Sequence, residues 1–512
     1  MPTAPYGHCE YGVDYSTPPH ELPPNALVDA QNVIPNQEGL ITGVSGATKI
    51  NSTAYNSGAV ITSVFEFRSG TTRKILCSSG TKVGLYNTAT GVFDDHITGL
   101  TTGKMFQWVN FAGKALGVNG ADAPQYSDGT TGGDLDDSPP VGVSITEWAQ
   151  RAWIGGDTTN VATLTGSALN DPTDWSTAGD AGFIAQTIGD SKDPIVGLIG
   201  FFDMLLVGKA NALYKVIGDP PTTSSELEVH PIYSKEADSV GFTSKWAVTQ
   251  VGNDIIFLDG FDIKRLSGIQ EYGDVETSSI IPHFKDYIAS IAHKDYIQYS
   301  QFFHYKQGQR IWVTIPTSST AYYVFVLDYR FKPATKRYAF FPMSGFTVNC
   351  FGGVEDGSVV NIYYGDRTGY VHQLELGNDI NGAAVDRFFV KFFAGNDAEQ
   401  KIFNGHDFRK QFYYSDTLIR SEETALTMTP YYARNLFDGE QIRDSDNYTS
   451  LGAKVVTGWS GTGTSTKKLR FGVNGLDGRT LSLKWRHNTV GQNFVFAPSN
   501  VYFDFKSNII VE

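Results

Sequence analysis

The chain has 512 residues, 41% of them hydrophobic and 13% aromatic, which excludes a disordered polymer and supplies more than one core's worth of apolar surface. A formal net charge of −14 argues against a protein that grips nucleic acid through a broad basic face. The three cysteines, Cys9, Cys77 and Cys350, form no C-x-x-C pair, which fits a reducing compartment and excludes a disulfide framework.

The first residues, MPTAPYGHCEYG, carry neither the basic nor the apolar region of a signal peptide. No run reaches the roughly eighteen apolar residues of a membrane span. Residues 1–57 are rich in Pro and Gly and read as an extended segment. Within it, Gly43, Gly46 and Lys49 are spaced G-x-x-G-x-x-K, without the Ser or Thr that follows a P-loop lysine. A second stretch, Gly99 to Lys104, is one residue short and ends in Met105. Both are expected to turn the chain and to bind no phosphate.

From 58 to 380 a theme recurs: short apolar strands joined across Gly, Asn or Asp turns, starting near Val60, Met105, Ala149, Ile195, Trp246, Phe302 and Phe346. Tyr and Phe, 26 and 33 against 5 Met, suit a pleated and half-buried surface. Units of roughly 45–55 residues holding four strands are the pattern of β-propeller blades. The fold expected is therefore all-β, a propeller of about seven blades, bracketed by six and eight; an array of β-sandwiches is the competing architecture. The stretch VGNDIIFLDGFDIKRLSG shows the unit best: a turn over Gly252–Asp254, a strand Ile255–Leu258, a turn at Asp259–Gly260, and a strand Asp262–Leu266. One short helix is predicted over Pro282–His293, with Phe284, Ile288 and Ile291 on one face. Residues 381–512 are strand-patterned without a period and read as a separate β domain, which the N-terminal segment could join.

Reactive constellations are absent from this pattern. The ten histidines form no H-E-x-x-H, and no His or Cys cluster has zinc spacing. DSDNYTS at Asp444 starts like a calcium loop but puts Tyr448 and Thr449 where a ligand and the turn glycine belong. The boxes of propeller sialidases, S-x-D-x-G-x-x-W, do not occur. Asp134, Asp136 and Asp137 lie in a Gly/Pro loop, which is normally wet and a poor place for an acid/base pair. No catalytic, cofactor-binding or metal-ligating residue is assigned. The one local basic stretch places Arg330, Lys332, Lys336 and Arg337 among aromatics around Pro333. It reads first as a hairpin with its turn at Lys332–Thr335 and a charged outer face that contacts a partner, and second as a DNA contact made by phosphate pairing and base stacking.

The stretch LPPNALVDAQNVIPNQEGLITGVSG, Leu22 to Gly46, resembles the opening of the tail hub or nozzle proteins of short-tailed bacteriophages, the tail tubular protein B-like or packaged-DNA stabilisation group. Leu22-Pro23, Asn32-Val33 and Gly39–Gly46 match its entry pattern, although Val44 stands where family members often carry arginine. FAGKALGVNGADAPQYSDG (Phe111–Gly129), Arg151-Ala152-Trp153, Asp171–Ser176 and VGNDIIFLDGFDIKRLSG continue the likeness in order, covering roughly residues 20–270. The resemblance implies a structural, non-enzymatic virion protein, made in the host cytoplasm and placed in the tail. It implies a homohexameric ring below portal and adaptor, with connector and tail fibre, spike or needle proteins as partners. Genomic DNA would be retained by this ring and would pass its lumen without sequence-specific binding. The alternatives are a propeller module binding a host glycan or protein and, third, a divergent propeller glycosidase.

Overall fold

The computed structural model describes residues 3–179, 182–218, 221–232, 240–268, 275–393, 409–436, 438–457, 466–478 and 480–506. Among them, seven sheets each contain a meander of antiparallel strands paired in chain order. Their innermost strands are Ile61–Ser69, Gln107–Phe111, Ser144–Trp148, Ile195–Phe201, Val248–Val251, Gln301–Tyr305 and Cys350–Asp356. Each of these packs against the next, and the last packs against the first. That closed circuit makes the chain a seven-bladed β-propeller, numbered here blade 1 to blade 7 in that order.

The local rules that build a blade are visible in its first turn. In six blades the first two strands join through a two-residue loop whose first residue has positive φ: Gly70, Ala112, Ala149, Phe202, Gly252 and Gly357. Such loops match the right-handed twist of the flanking strands. Second strands are sandwiched between neighbouring blades and bury both faces, as in Arg151–Gly155 and Arg310–Pro316, where every residue is buried. Most seams between blades hold their own apolar cluster. Trp108, Phe67 and Leu76 fill the seam of blades 1 and 2, whereas Trp153, Leu198 and Leu205 fill that of blades 3 and 4.

Blade 5 contains the hairpin expected from the sequence, in a slightly different register. Strands Asp254–Asp259 and Asp262–Gly268 pair with Asp259 opposite Asp262, so the loop is Gly260–Phe261 and not Asp259–Gly260. The Asp259 carboxylate meets Lys264 at 2.7 Å. Gly260 has φ +61, the left-handed conformation the Asp-Gly pair suggested. The helix spans Lys285–Ile291, shorter than Pro282–His293, because Phe284 is its non-helical cap and Ala292 returns to extended backbone.

The N-terminal residues do not stay outside the repeat. Ala47–Lys49 is the fourth strand of blade 7, paired with Val371–Leu374, so the ring is closed by chain from its two ends. Gly12–Val13 and Ala26–Leu27 add two short parallel strands to the outer edge of blade 6. The second domain is a pair of six-stranded sheets drawn from both termini. One contains Arg409–Arg420, Lys467–Gly478 and Val495–Lys506 with Thr3–Tyr6, Val33–Pro35 and Ile41–Gly43. The other contains Arg387–Phe393, Ala425–Arg434 and Leu481–His487 with Asp29–Gln31. Tyr6, Phe389, Trp485 and Phe496 interleave between them, and this core runs without a break into blade 6 through Val33, Phe340 and Trp312. One hydrophobic core therefore joins propeller and second domain.

Candidate functional site

The basic stretch lies in the loop between the third and fourth strands of blade 6, Tyr322–Asp328 and Ala339–Met343. Its predicted turn forms one helical turn, Lys332–Thr335, with Pro333 in the first turn and Lys336 leaving in the left-handed conformation. The four cations do not share one role. Arg330 folds back on the buried Asp328 carboxylate, its Nε donating at 2.9 Å, and also donates to the Pro35 carbonyl. Arg337 donates to the Tyr11 carbonyl at 2.7 Å and to the Asp14 carboxylate at 3.1 Å. Burial pushes the Asp14 carboxyl up, but the Thr17 amide and the Arg337 charge outweigh it and hold it below its usual value. Both arginines thus pin the N-terminal segment to blade 6, and both are half-buried with their guanidinium groups engaged within the chain.

Lys332 and Lys336 remain on the outside. Lys332 Nζ donates to the Tyr338 hydroxyl at 3.0 Å and lies 3.8 Å from Asp254. Burial, aided by the Arg265 charge, moves its pKa down. Arg265, from the third strand of blade 5, faces the same space, with Nη1 3.5 Å from Asp254. These side chains, with Arg330, Gln309, Tyr329 and Pro333, line a groove of about 520 Å³. Arg265 and Gln309 carried no local signal in the sequence; only the seam between blades 5 and 6 brings them to the basic loop.

The acidic loop is as wet as expected. Asp134, Asp136 and Asp137 are exposed. Asp134 accepts from Gln125 Nε2 at 2.7 Å, and Asp137 accepts from the Trp175 amide at 2.7 Å and the Ser176 hydroxyl at 2.8 Å. Elsewhere His372 sits between Asp366 and Asn381, at 3.1 Å from each, with its ring stacked on Tyr364 at 4.5 Å. Asn381 also caps the Lys49 amide, so this clasp fixes the closing strand of blade 7. Among the described residues no group of three or more His, Cys, Asp or Glu is placed to hold a metal ion, and no helix is long and apolar enough to cross a membrane.

Several buried cations replace water with carbonyls. Arg387 donates to Val44, Gln492 and Asn378, and burial pulls it down to about 10. Lys391 donates to Pro24 and Ala26 at 2.6 and 2.7 Å and is pulled down to about 8 by burial. Both hold the N-terminal segment against the second domain. A polar groove of about 510 Å³ opens beside this junction, lined by Asn36, Glu38, Asn378, Arg420, Glu423 and Asn493 among others.

No protein-family model matches the chain, and no curated protein matches it. Among solved structures, it is similar to the β-propeller domain of Cps50 (Swd1) from Myceliophteria thermophila, at 9% identity and a TM-score of 0.39, over 64% of this chain and 100% of that one. At that level the likeness says nothing of function, and the propeller stands on its own closed ring of inner strands.

Proposed function

We propose that this chain is a structural virion protein, the tail hub or nozzle subunit of a short-tailed bacteriophage, acting without catalysis. In this reading six copies form a ring that extends the DNA channel below portal and adaptor, holds the packaged genome, and carries tail fibre, spike or needle proteins. The supporting observation is the course of Leu22–Gly46, the stretch that carries the family likeness. It laces the outer edge of blade 6 to both sheets of the second domain and delivers Ala47–Lys49 to close blade 7. A part that bears load around a passing polymer gains from a ring locked by chain from both ends. The net charge of −14 per copy suits a lumen that DNA crosses without adhering. A projection image of the assembled protein decides the matter: a sixfold ring is expected, and a solitary monomer at high concentration would refute the reading.

The polar groove lined by Glu38, Arg420 and Glu423 favours a second reading, a module that binds a host glycan or protein. Saturable glycan binding by a monomer, lost in Glu423→Ala, would select it.

A further inference from the structure

We infer that the groove between blades 5 and 6 is a binding site for a phosphate group. The inference does not depend on the reading as a tail component. Arg265, Lys332 and Lys336 line the groove, while Asp254 is the carboxylate within reach of the first two, at 3.5 and 3.8 Å. Arg330 brings its own counter-ion, the buried Asp328. The wall is therefore left with about two positive charges in excess, which is the charge of a phosphate monoester near neutral pH. Arg265 Nε is buried and has no hydrogen-bond partner among the described residues, so the guanidinium is incompletely satisfied where it stands. Guanidinium and ammonium donors converging on one space suit a tetrahedral oxyanion better than a single carboxylate.

The volume, about 520 Å³, lies within the range of small-molecule pockets, so the phosphate can carry an organic group. Tyr329 and Pro333 provide a less polar wall for it, and the Tyr329 hydroxyl is already engaged with His304 Nε2 at 2.7 Å. None of the lining residues belongs to an innermost strand. They come from the third strand of blade 5 and the loops of blade 6, so the phosphate is offered from outside the central channel. Two sources share this chemistry: a free phosphate ester and the backbone of a DNA lying against the outer face.

The test is a calorimetric titration of the full chain with inorganic phosphate and pyrophosphate, ionic strength held constant with chloride. Lys336→Asn removes a charge from an exposed turn while keeping a residue that tolerates the left-handed conformation, and Arg265→Gln removes the orphaned donor. Saturable binding that weakens about tenfold in each variant is expected, the loss typical of one charge-assisted hydrogen bond. Unchanged thermal unfolding of Lys336→Asn shows that its loss is local. No saturable heat, or equal binding by wild type and both variants, overturns the proposal. A short DNA duplex added to the pyrophosphate complex separates the sources. Displacement of pyrophosphate by duplex, abolished in Lys336→Asn, assigns the site to DNA phosphates, whereas failure to displace assigns it to a free ester.

Discussion

Replacing Gly46 with alanine tests the ring closure directly. A Cβ built on Gly46 lies 1.7 Å from the Asp379 carbonyl oxygen, where real Cβ atoms keep at least 3.0 Å. Both sides of this contact are backbone, so a rotamer change cannot relieve it. Either residues 46–49 or the Asp379 loop must retreat by more than about an ångström, an overpacking that alone costs ~1–3 kcal/mol. The retreat strains the Gly46 amide bond to the Gly377 carbonyl at 2.8 Å and the pairing of Ala47–Lys49 with Leu374–His372. At ~1 kcal/mol for each of the three or four backbone hydrogen bonds lost, added to the overpacking, the expected destabilisation is about 4–7 kcal/mol. The control is Gly133→Ala, where nothing lies within 4 Å and φ is not left-handed, so the change is expected to be neutral or slightly stabilising. Urea unfolding followed by tryptophan fluorescence, with limited proteolysis of the N-terminal segment, reads both. Equal midpoints and equal protease resistance for the two variants would refute the closure of blade 7 by residues 47–49.

Gly260→Val should cost about 1–3 kcal/mol from backbone strain alone, since open space surrounds the position, while Gly260→Asn should recover most of it; a neutral Val in urea unfolding contradicts the hairpin. Arg387→Met strands carbonyls of Val44, Gln492 and Asn378 and is expected to destabilise by about 3–5 kcal/mol, seen as release of the N-terminal segment to protease before global unfolding. The last prediction concerns pH. Burial lowers Lys245, whose Nζ donates to the Val143 carbonyl, to about 7 and Lys391 to about 8, so from about pH 7 upward the unfolded chain holds more protons than the folded one at these sites. Stability should therefore rise between about pH 7 and 8.5, above which the buried thiols, pushed up by burial, reverse the trend as unfolded cysteines ionise. Urea midpoints across that window, flatter in Lys391→Met, measure it; a midpoint that falls from pH 7 to 8 rejects the assignment.

What the sequence determined was everything set by neighbours along the chain. Turn residues such as Gly252 and Gly357, the apolar runs between them and their spacing produced the blades, because a two-residue loop and an alternating strand are specified within about a dozen residues. The turn at Lys332–Thr335 was legible for the same reason, although its form, one turn of α-helix, was not. Long-range pairing was not. Three residues, Ala47–Lys49, carry no strand signal of their own, and only the ring's need for a fourth strand beside Val371–Leu374 gives them one. Nor could spacing show that Arg330 and Arg337 would turn inward to Pro35 and Asp14 while Arg265 turned outward beside Lys332. A charged side chain's role depends on which carbonyls and carboxylates surround it after packing. The seam between blades 5 and 6, where strands distant in sequence meet, settled that for Arg265 and Lys332, and the returning N-terminal segment settled it for Arg330 and Arg337.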